Sequence, residues 1–186
     1  MQVITSKRPG GLDFSFAGEL KERCRQPVEL CYQCQKCTAG CPVGEFAEYR
    51  PNQIIRLVQF GLKEKIFSSN FLWLCTNCET CGARCPNGIK IAEVMDALRE
   101  MAQERGFMPP KNPAFLFHTS FLASVKTFGR VHEASMLMVY KLKSRRIFED
   151  LDTGIKYLLR RKFAIIPRRI KGRRQVRQIF ASFRRR

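Results

Sequence analysis

Apolar residues return at helical spacing in several separate stretches of the chain. Between 52 and 66, Ile54, Ile55, Val58, Leu62 and Ile66 share one side of a helical wheel, with Arg56, Gln59 and Lys63 elsewhere on it. This pattern predicts a single amphipathic helix over 52–66, broken by Ser68, Ser69 and Asn70. A second stripe, Ile91, Val94, Met95, Leu98, Met101 and Ala102, predicts a helix over about 90–105, closed by Gly106 and the Pro109-Pro110 pair. Upstream, FAGELKERC (16–24) predicts a short helix ahead of Pro27. It falls in a segment, 1–24, that reads as an amino-terminal arm kept open by Pro9, Gly10 and Gly11. Beyond residue 111, Phe115, Phe117, Phe121, Leu122, Val125 and Phe128 mark 114–128, and Ala134, Leu137, Met138 and Leu142 mark 131–143. The last stretch sets Val176, Ile179, Phe180 and Phe183 on one face, with Arg173, Arg174 and Arg177 around it. No convincing strand alternation separates these stretches, so the expected fold class is all-α.

The segments between the first two stripes carry a repeat. CYQCQKCTAGCP (31–42) and CTNCETCGARCP (75–86) follow one pattern, Cys-x-x-Cys-x-x-Cys-x-x-x-Cys-Pro. Each cysteine of the second run lies 44 positions after its counterpart, and Gly44 and Gly88 keep that offset. The repeating unit is a cysteine loop followed by a helix.

Eight of the nine cysteines fall in these runs. Two-residue gaps let successive thiolates converge on one face of a cubane iron–sulfur cluster, while backbone amides offset the negative core. In the bacterial two-cluster pattern the fourth cysteine ligates the other cluster. Applied here, this gives Cys31, Cys34, Cys37 and Cys85 for one 4Fe-4S cluster, and Cys75, Cys78, Cys81 and Cys41 for a second. Pro42 and Pro86 then redirect the chain after the ligand. Structural zinc is the competing reading. It uses four ligands, in two Cys-x-x-Cys knuckles across a longer gap, and fits eight cysteines in two dense runs less well. Disulfides are disfavoured in a reducing compartment. Cys24 lies outside both runs and reads as a small buried hydrophobe.

Charge adds a second theme. The formal net charge is +18, and residues 153–186 contain no acidic residue. Such a balance suits an anionic partner: a lipid surface, an acidic protein or a nucleic acid. No nucleic-acid module accompanies it, so no nucleic-acid partner is expected. The opening MQVITSKRPGGLDFSF has no apolar signal core, and the longest apolar bursts, FLWLC and SMLMVY, are far shorter than a bilayer span. The expected location is cytoplasmic, with any membrane association made through partners.

The two motifs, joined by a helical insert, resemble an α-helical ferredoxin domain over about residues 25–106. The openings CYQCQKCTAGCPV and FLWLCTNCETCGARCP are most similar to the two-cluster iron–sulfur subunit of heterodisulfide reductase. The tail stretch IPRRIKGRRQVRQIF is also similar to that subunit. The resemblance implies a ferredoxin domain (25–110) with two cysteine-loop/helix repeats binding two 4Fe-4S clusters, followed by a basic helical docking extension (111–186). It implies a non-catalytic relay between two partners in the same complex, a flavin-containing subunit and a cysteine-rich, disulfide-reducing subunit. The chain has no Cys-Cys pair, so it lacks the disulfide-reducing site of that family. The extension is more basic than the family leads one to expect, and contact with a membrane surface is a second role for it. The alternative is an iron–sulfur subunit of a quinone-linked membrane oxidoreductase.

The remaining candidates have plainer readings. His118 and His132 lie far from the motifs and read as ordinary surface or core residues. Phe71 and Trp73, just before Cys75, read as packing. Lys36, Arg84 and Lys90 lie in or beside the cysteine loops, where a cation favours a reduced, more negative cluster.

Overall fold

The computed structural model describes residues 12–109, 112–145, 156 and 170–183. Pro9, Gly10 and Gly11, and much of the basic stretch after residue 153, lie outside the described residues. The described residues form helices and turns, with no strand among them. The chain divides into two compact units, Met1–Pro109 and Pro110–Arg186.

Four longer helices build the first unit: α1 (Ser15–Cys24), α3 (Pro51–Gln59), α4 (Lys63–Ser68) and α7 (Ile91–Glu104). Between them lie three short ones, α2 (Lys36–Ala39), α5 (Phe71–Leu74) and α6 (Thr80–Ala83). The core sits along α7, whose Val94, Met95, Leu98, Met101 and Ala102 are fully buried. Helices α1, α4, α5 and α6 all pack against it. Each large apolar side chain withdrawn from water here contributes about 1.5–3 kcal/mol before the entropy of ordering is set against it.

The segment read as an arm is partly core. Phe16 and Leu20 of α1 are fully buried, and the Phe16 ring meets Phe67 of α4 edge-on at 5.8 Å. Arg105 lies over both rings and donates to the Glu19 carboxylate at 2.6 Å.

The single helix expected over 52–66 is two helices. Its apolar positions are inside as read, with Ile54, Ile55, Val58 and Ile66 fully buried. The chain breaks at Gly61, which has φ +66°. A Cβ there would lie 1.8 Å from the carbonyl oxygen of Asp13. Only glycine accepts both the left-handed backbone and that approach. Lys63, opening α4, donates to the Asp13 carboxylate at 2.8 Å and fastens the same corner.

The second unit holds α8 (Pro113–Phe128), α9 (Glu133–Ser144) and α10 (Arg173–Phe183). Asn112 caps α8, its Oδ1 accepting from the backbone N–H of Ala114 and Phe115, and Gly129 ends it at φ +82°. Helices α8 and α9 pack together, and α10 packs on α8. The buried positions of α8 are Leu116, Ser120 and Ser124, whereas Phe117, Phe121 and Leu122 are exposed. Ser124 Oγ accepts from the backbone N–H of His132, and the His132 ring in turn caps α9 by accepting from Ser135 N–H. His132 is therefore a buried capping residue. Of the 34 Lys and Arg, 20 lie beyond residue 110, against four of the 16 acidic residues. Among the described residues no helix is long and apolar enough to cross a membrane.

Candidate metal centre

The two cysteine runs fold into two hollows on the first unit. Cys31, Cys34, Cys37 and Cys85 line one, of about 370 Å³. Cys41, Cys75, Cys78 and Cys81 line the other, of about 360 Å³. Each hollow thus gathers three cysteines of one run and the last cysteine of the other. None of the eight is in a disulfide. Ile91, the first residue of α7 and 3% exposed, lines both hollows and forms a shared wall. Among the described residues no three His, Cys, Asp or Glu side chains are gathered as a single metal ion would require. Four cysteines line each hollow, and an all-thiol set of four is a donor set that an iron–sulfur cluster uses.

The loops repeat in backbone as well as in sequence. Gln33 and Gln35 take left-handed φ of 58° and 63°, and their counterparts Asn77 and Glu79 take 52° and 59°. Left-handed residues inside a tight loop form concavities lined by N–H groups, which favour an anionic occupant. The short helices α2 and α6 follow these residues and pack against each other. At their ends the guanidinium of Arg84 lies against Gly40, where an added Cβ would sit 2.7 Å from it.

Each loop is tied to the helix that follows it. In the first repeat Asn52 of α3 donates through Nδ2 to Gln33 Oε1 at 3.2 Å and accepts from Thr38 Oγ1 at 2.6 Å, while Gln33 Nε2 donates to the Asn52 carbonyl. In the second, Asn77 donates to Asp96 of α7 at 2.6 Å. Arg99 joins there, donating to the carbonyls of Leu72 and Cys75, to Asn77 Oδ1 and to Asp96 Oδ1. The sequence reading gave none of Asn52, Asp96 and Arg99 a role at the site. The 44-residue offset relates Asn52 to Asp96 as it relates Gln33 to Asn77, and Arg99 stands at the edge of the α7 stripe, so the repeat contained the signal.

Thiol chemistry differs between positions. Burial pushes Cys37 and Cys41 up, and pushes Cys81 to about 11, with Cys75 adding to the rise at Cys81. Cys78 is lowered, chiefly by its hydrogen bond with Thr80. A thiol raised by burial stays protonated at neutral pH unless a bound cationic centre stabilises its thiolate. Cys34 and Cys78, the second cysteines of the two runs, are exposed, so each hollow has one cysteine at the surface.

Cys24 lines neither hollow. Its Sγ donates to the Leu20 carbonyl at 3.2 Å, and burial raises its thiol. Lys36 and Arg84 are exposed, and Lys90 is exposed and paired with Glu93 at 3.0 Å. Phe71 and Trp73 are buried, and Phe71 lines the second hollow.

Residues 27–89 match the family described as "4Fe-4S dicluster domain". Over 107 residues the chain is 41% identical to a subunit of the "H(2):CoB-CoM heterodisulfide,ferredoxin reductase" of Methanothermobacter thermautotrophicus, covering 58% of each chain. It is 44% identical over 81 residues to the iron-sulfur subunit of the "CoB--CoM heterodisulfide reductase" of Methanopyrus kandleri, covering 44% of this chain and 42% of that one. A third relative, the corresponding subunit of the "Ferredoxin:CoB-CoM heterodisulfide reductase" of Methanosarcina mazei, is 39% identical over 85 residues, 46% of this chain and 52% of that one. The chain spans about half the length of these relatives. Residues 27–89 thus match a 4Fe-4S dicluster domain, and the chain that carries them is similar to the iron–sulfur subunit of heterodisulfide reductase.

Proposed function

We propose that this chain is the electron-relay subunit of a heterodisulfide-reductase-like complex. It carries electrons between a flavin-containing subunit and a cysteine-rich, disulfide-reducing subunit. The observation that carries the reading is the pair of four-cysteine hollows sharing the wall residue Ile91. In this reading Cys31, Cys34, Cys37 and Cys85 hold one 4Fe-4S cluster, and Cys75, Cys78, Cys81 and Cys41 hold the other. The clusters supply one-electron storage at neighbouring points. The protein's residues do the rest. The crossed cysteines fasten the repeats together, the left-handed loop residues shape the concavities, and Ile91 keeps water from between them. The exposed Cys34 and Cys78 edges give one face for a donor and another for an acceptor. With no Cys-Cys pair, the chain relays electrons and leaves disulfide chemistry to its partner.

The basic second unit serves as the docking extension, its cations meeting an acidic surface of a partner subunit. A second reading is favoured by the exposed Phe117, Leu122, Met138 and Leu142 of α8 and α9, together with the acid-free α10. Apolar side chains among cations also fit an anionic lipid surface, as an iron–sulfur subunit of a quinone-linked membrane oxidoreductase would use.

Anaerobic capture of the native protein from its host, with bound subunits identified by mass spectrometry, tests the reading. A flavoprotein together with a subunit rich in paired cysteines supports the relay. A haem- or quinone-binding membrane subunit without those two overturns it in favour of the second reading.

A further inference from the structure

The two repeats match closely enough that their differences are informative. Asn52 and Ile55 of α3 correspond, at the 44-residue offset, to Asp96 and Arg99 of α7. The first hollow is lined entirely by uncharged residues, including Asn52 and the fully buried Ile55. The second repeat puts an ion pair at the same two places, with Arg99 Nη1 at 2.8 Å from Asp96 Oδ1. The members of this pair are unequally placed. The Arg99 side chain is 18% exposed and that of Asp96 is 56% exposed. Arg99 also donates to the carbonyl of Cys75, a residue of the second hollow, and to Leu72 and Asn77 of the same loop. Glu79, where the first repeat has Gln35, lines the second hollow but is exposed. Neither Arg99 nor Asp96 lines the second hollow, but the sheltered guanidinium is bonded to the carbonyl of a cysteine that does. Solvent screens the exposed Asp96 and Glu79, and the exposed Lys36 and Arg84 beside the cysteines of the first hollow, far more than it screens that guanidinium.

We propose that Arg99 sets the potential of the centre held by Cys41, Cys75, Cys78 and Cys81 above that of the other, so that an electron entering the chain comes to rest on that side. The inference rests on the two-cluster reading above. The step is a one-electron transfer. A reduced flavin on a partner loses one electron, one centre gains it, and no bond forms or breaks. A positive charge held at a ligand's own carbonyl favours the added negative charge, since net charge and hydrogen bonding around a cluster set its potential. Arg99 is thus a tuning and positioning residue, and it also holds the loop that carries Cys75.

The test is an anaerobic potentiometric titration of the cluster-loaded full chain, followed by electron paramagnetic resonance. Wild type, Arg99→Gln, Arg99→Lys and Asn52→Asp are compared, each with its iron and sulfide content. Wild type is expected to reduce in two steps. Arg99→Gln should move the higher step down towards the lower one and leave the lower step in place. Arg99→Lys, which keeps the charge, should restore most of that shift. Asn52→Asp, which adds a carboxylate at the first hollow without an arginine, should move only the lower step, further down. Unchanged steps in Arg99→Gln at full iron content would overturn the proposal, as would a shift in the lower step alone. Equal shifts in the Gln and Lys variants would also overturn it, because they would assign Arg99 a purely structural role. A wild-type chain without iron and sulfide would instead overturn the two-cluster reading, and the inference with it.

Discussion

Cys41 and Cys85, each the last cysteine of its run, have exchanged places: Cys41 lines the hollow of Cys75, Cys78 and Cys81, and Cys85 lines that of Cys31, Cys34 and Cys37. The exchange follows from the local chain path. Helices α2 and α6 pack against each other, and Arg84 rests on Gly40, so the residue before each last cysteine meets its counterpart in the other repeat. A proline, Pro42 or Pro86, follows each last cysteine directly.

A spectroscopic lesion should therefore cross between repeats. Cys41→Ser is expected to damage the same cluster as Cys75→Ser, and Cys85→Ser the same cluster as Cys31→Ser. Mössbauer and electron paramagnetic resonance spectra of the four variants group them in pairs. Grouping by position in sequence, Cys41 with Cys31, would refute the crossed ligation.

Cys24 should be dispensable for cluster loading. Its thiol bonds to the Leu20 carbonyl within its own helix and reaches neither hollow. Cys24→Ser is expected to retain wild-type iron and sulfide. Loss of iron in this variant would make Cys24 a ligand.

Gly61→Ala should be strongly destabilising. The substitution combines a left-handed backbone with a Cβ 1.8 Å from the Asp13 carbonyl, and one of the two packed segments must move. A loss of roughly 3 kcal/mol or more is expected in denaturant unfolding. A change below about 1 kcal/mol would show that the α3–α4 corner relaxes freely.

The Asp13–Lys63 pair should make a small, acid-sensitive contribution. Hydrogen bonds from Lys63, and then from Ser15, hold the Asp13 carboxyl at about 2, below its ordinary value of 3.8. A depressed carboxylate contributes stability that is fully present above its unfolded pKa. The contribution falls away as pH drops from about 4 through about 2. Both side chains are more than a quarter exposed, so solvent limits the coupling to about 0.5–1 kcal/mol. A double-mutant cycle of Asp13→Asn and Lys63→Met at pH 7 measures it, and the same cycle at falling pH should show it vanish. Coupling that persists below pH 2 would contradict this assignment.

Much of this was legible in the sequence. The cysteine spacing named the eight residues that the hollows gather, and the stripes of α3 and α7 named their buried faces. Other features needed tertiary contacts. Gly61 looked like an interior helix residue because its requirement comes from Asp13, 48 positions away. Phe16 and Leu20 looked like part of an arm because the surface that buries them lies on α7 and α4. Arg99 sits beside an apolar stripe and drew no reading from the sequence, whereas its donors are taken up by a loop 22 to 27 positions upstream. In the second unit, Ser120 and Ser124 rather than the phenylalanines take the buried face of α8, which no hydropathy pattern marks.

The most direct test of the relay is the metal and sulfide content of the anaerobically purified chain, read together with a reductive titration. About eight iron and eight sulfide per chain, accepting two electrons in separate one-electron steps, are expected for two 4Fe-4S clusters. Stoichiometric zinc without sulfide, or a single four-iron centre, would contradict it.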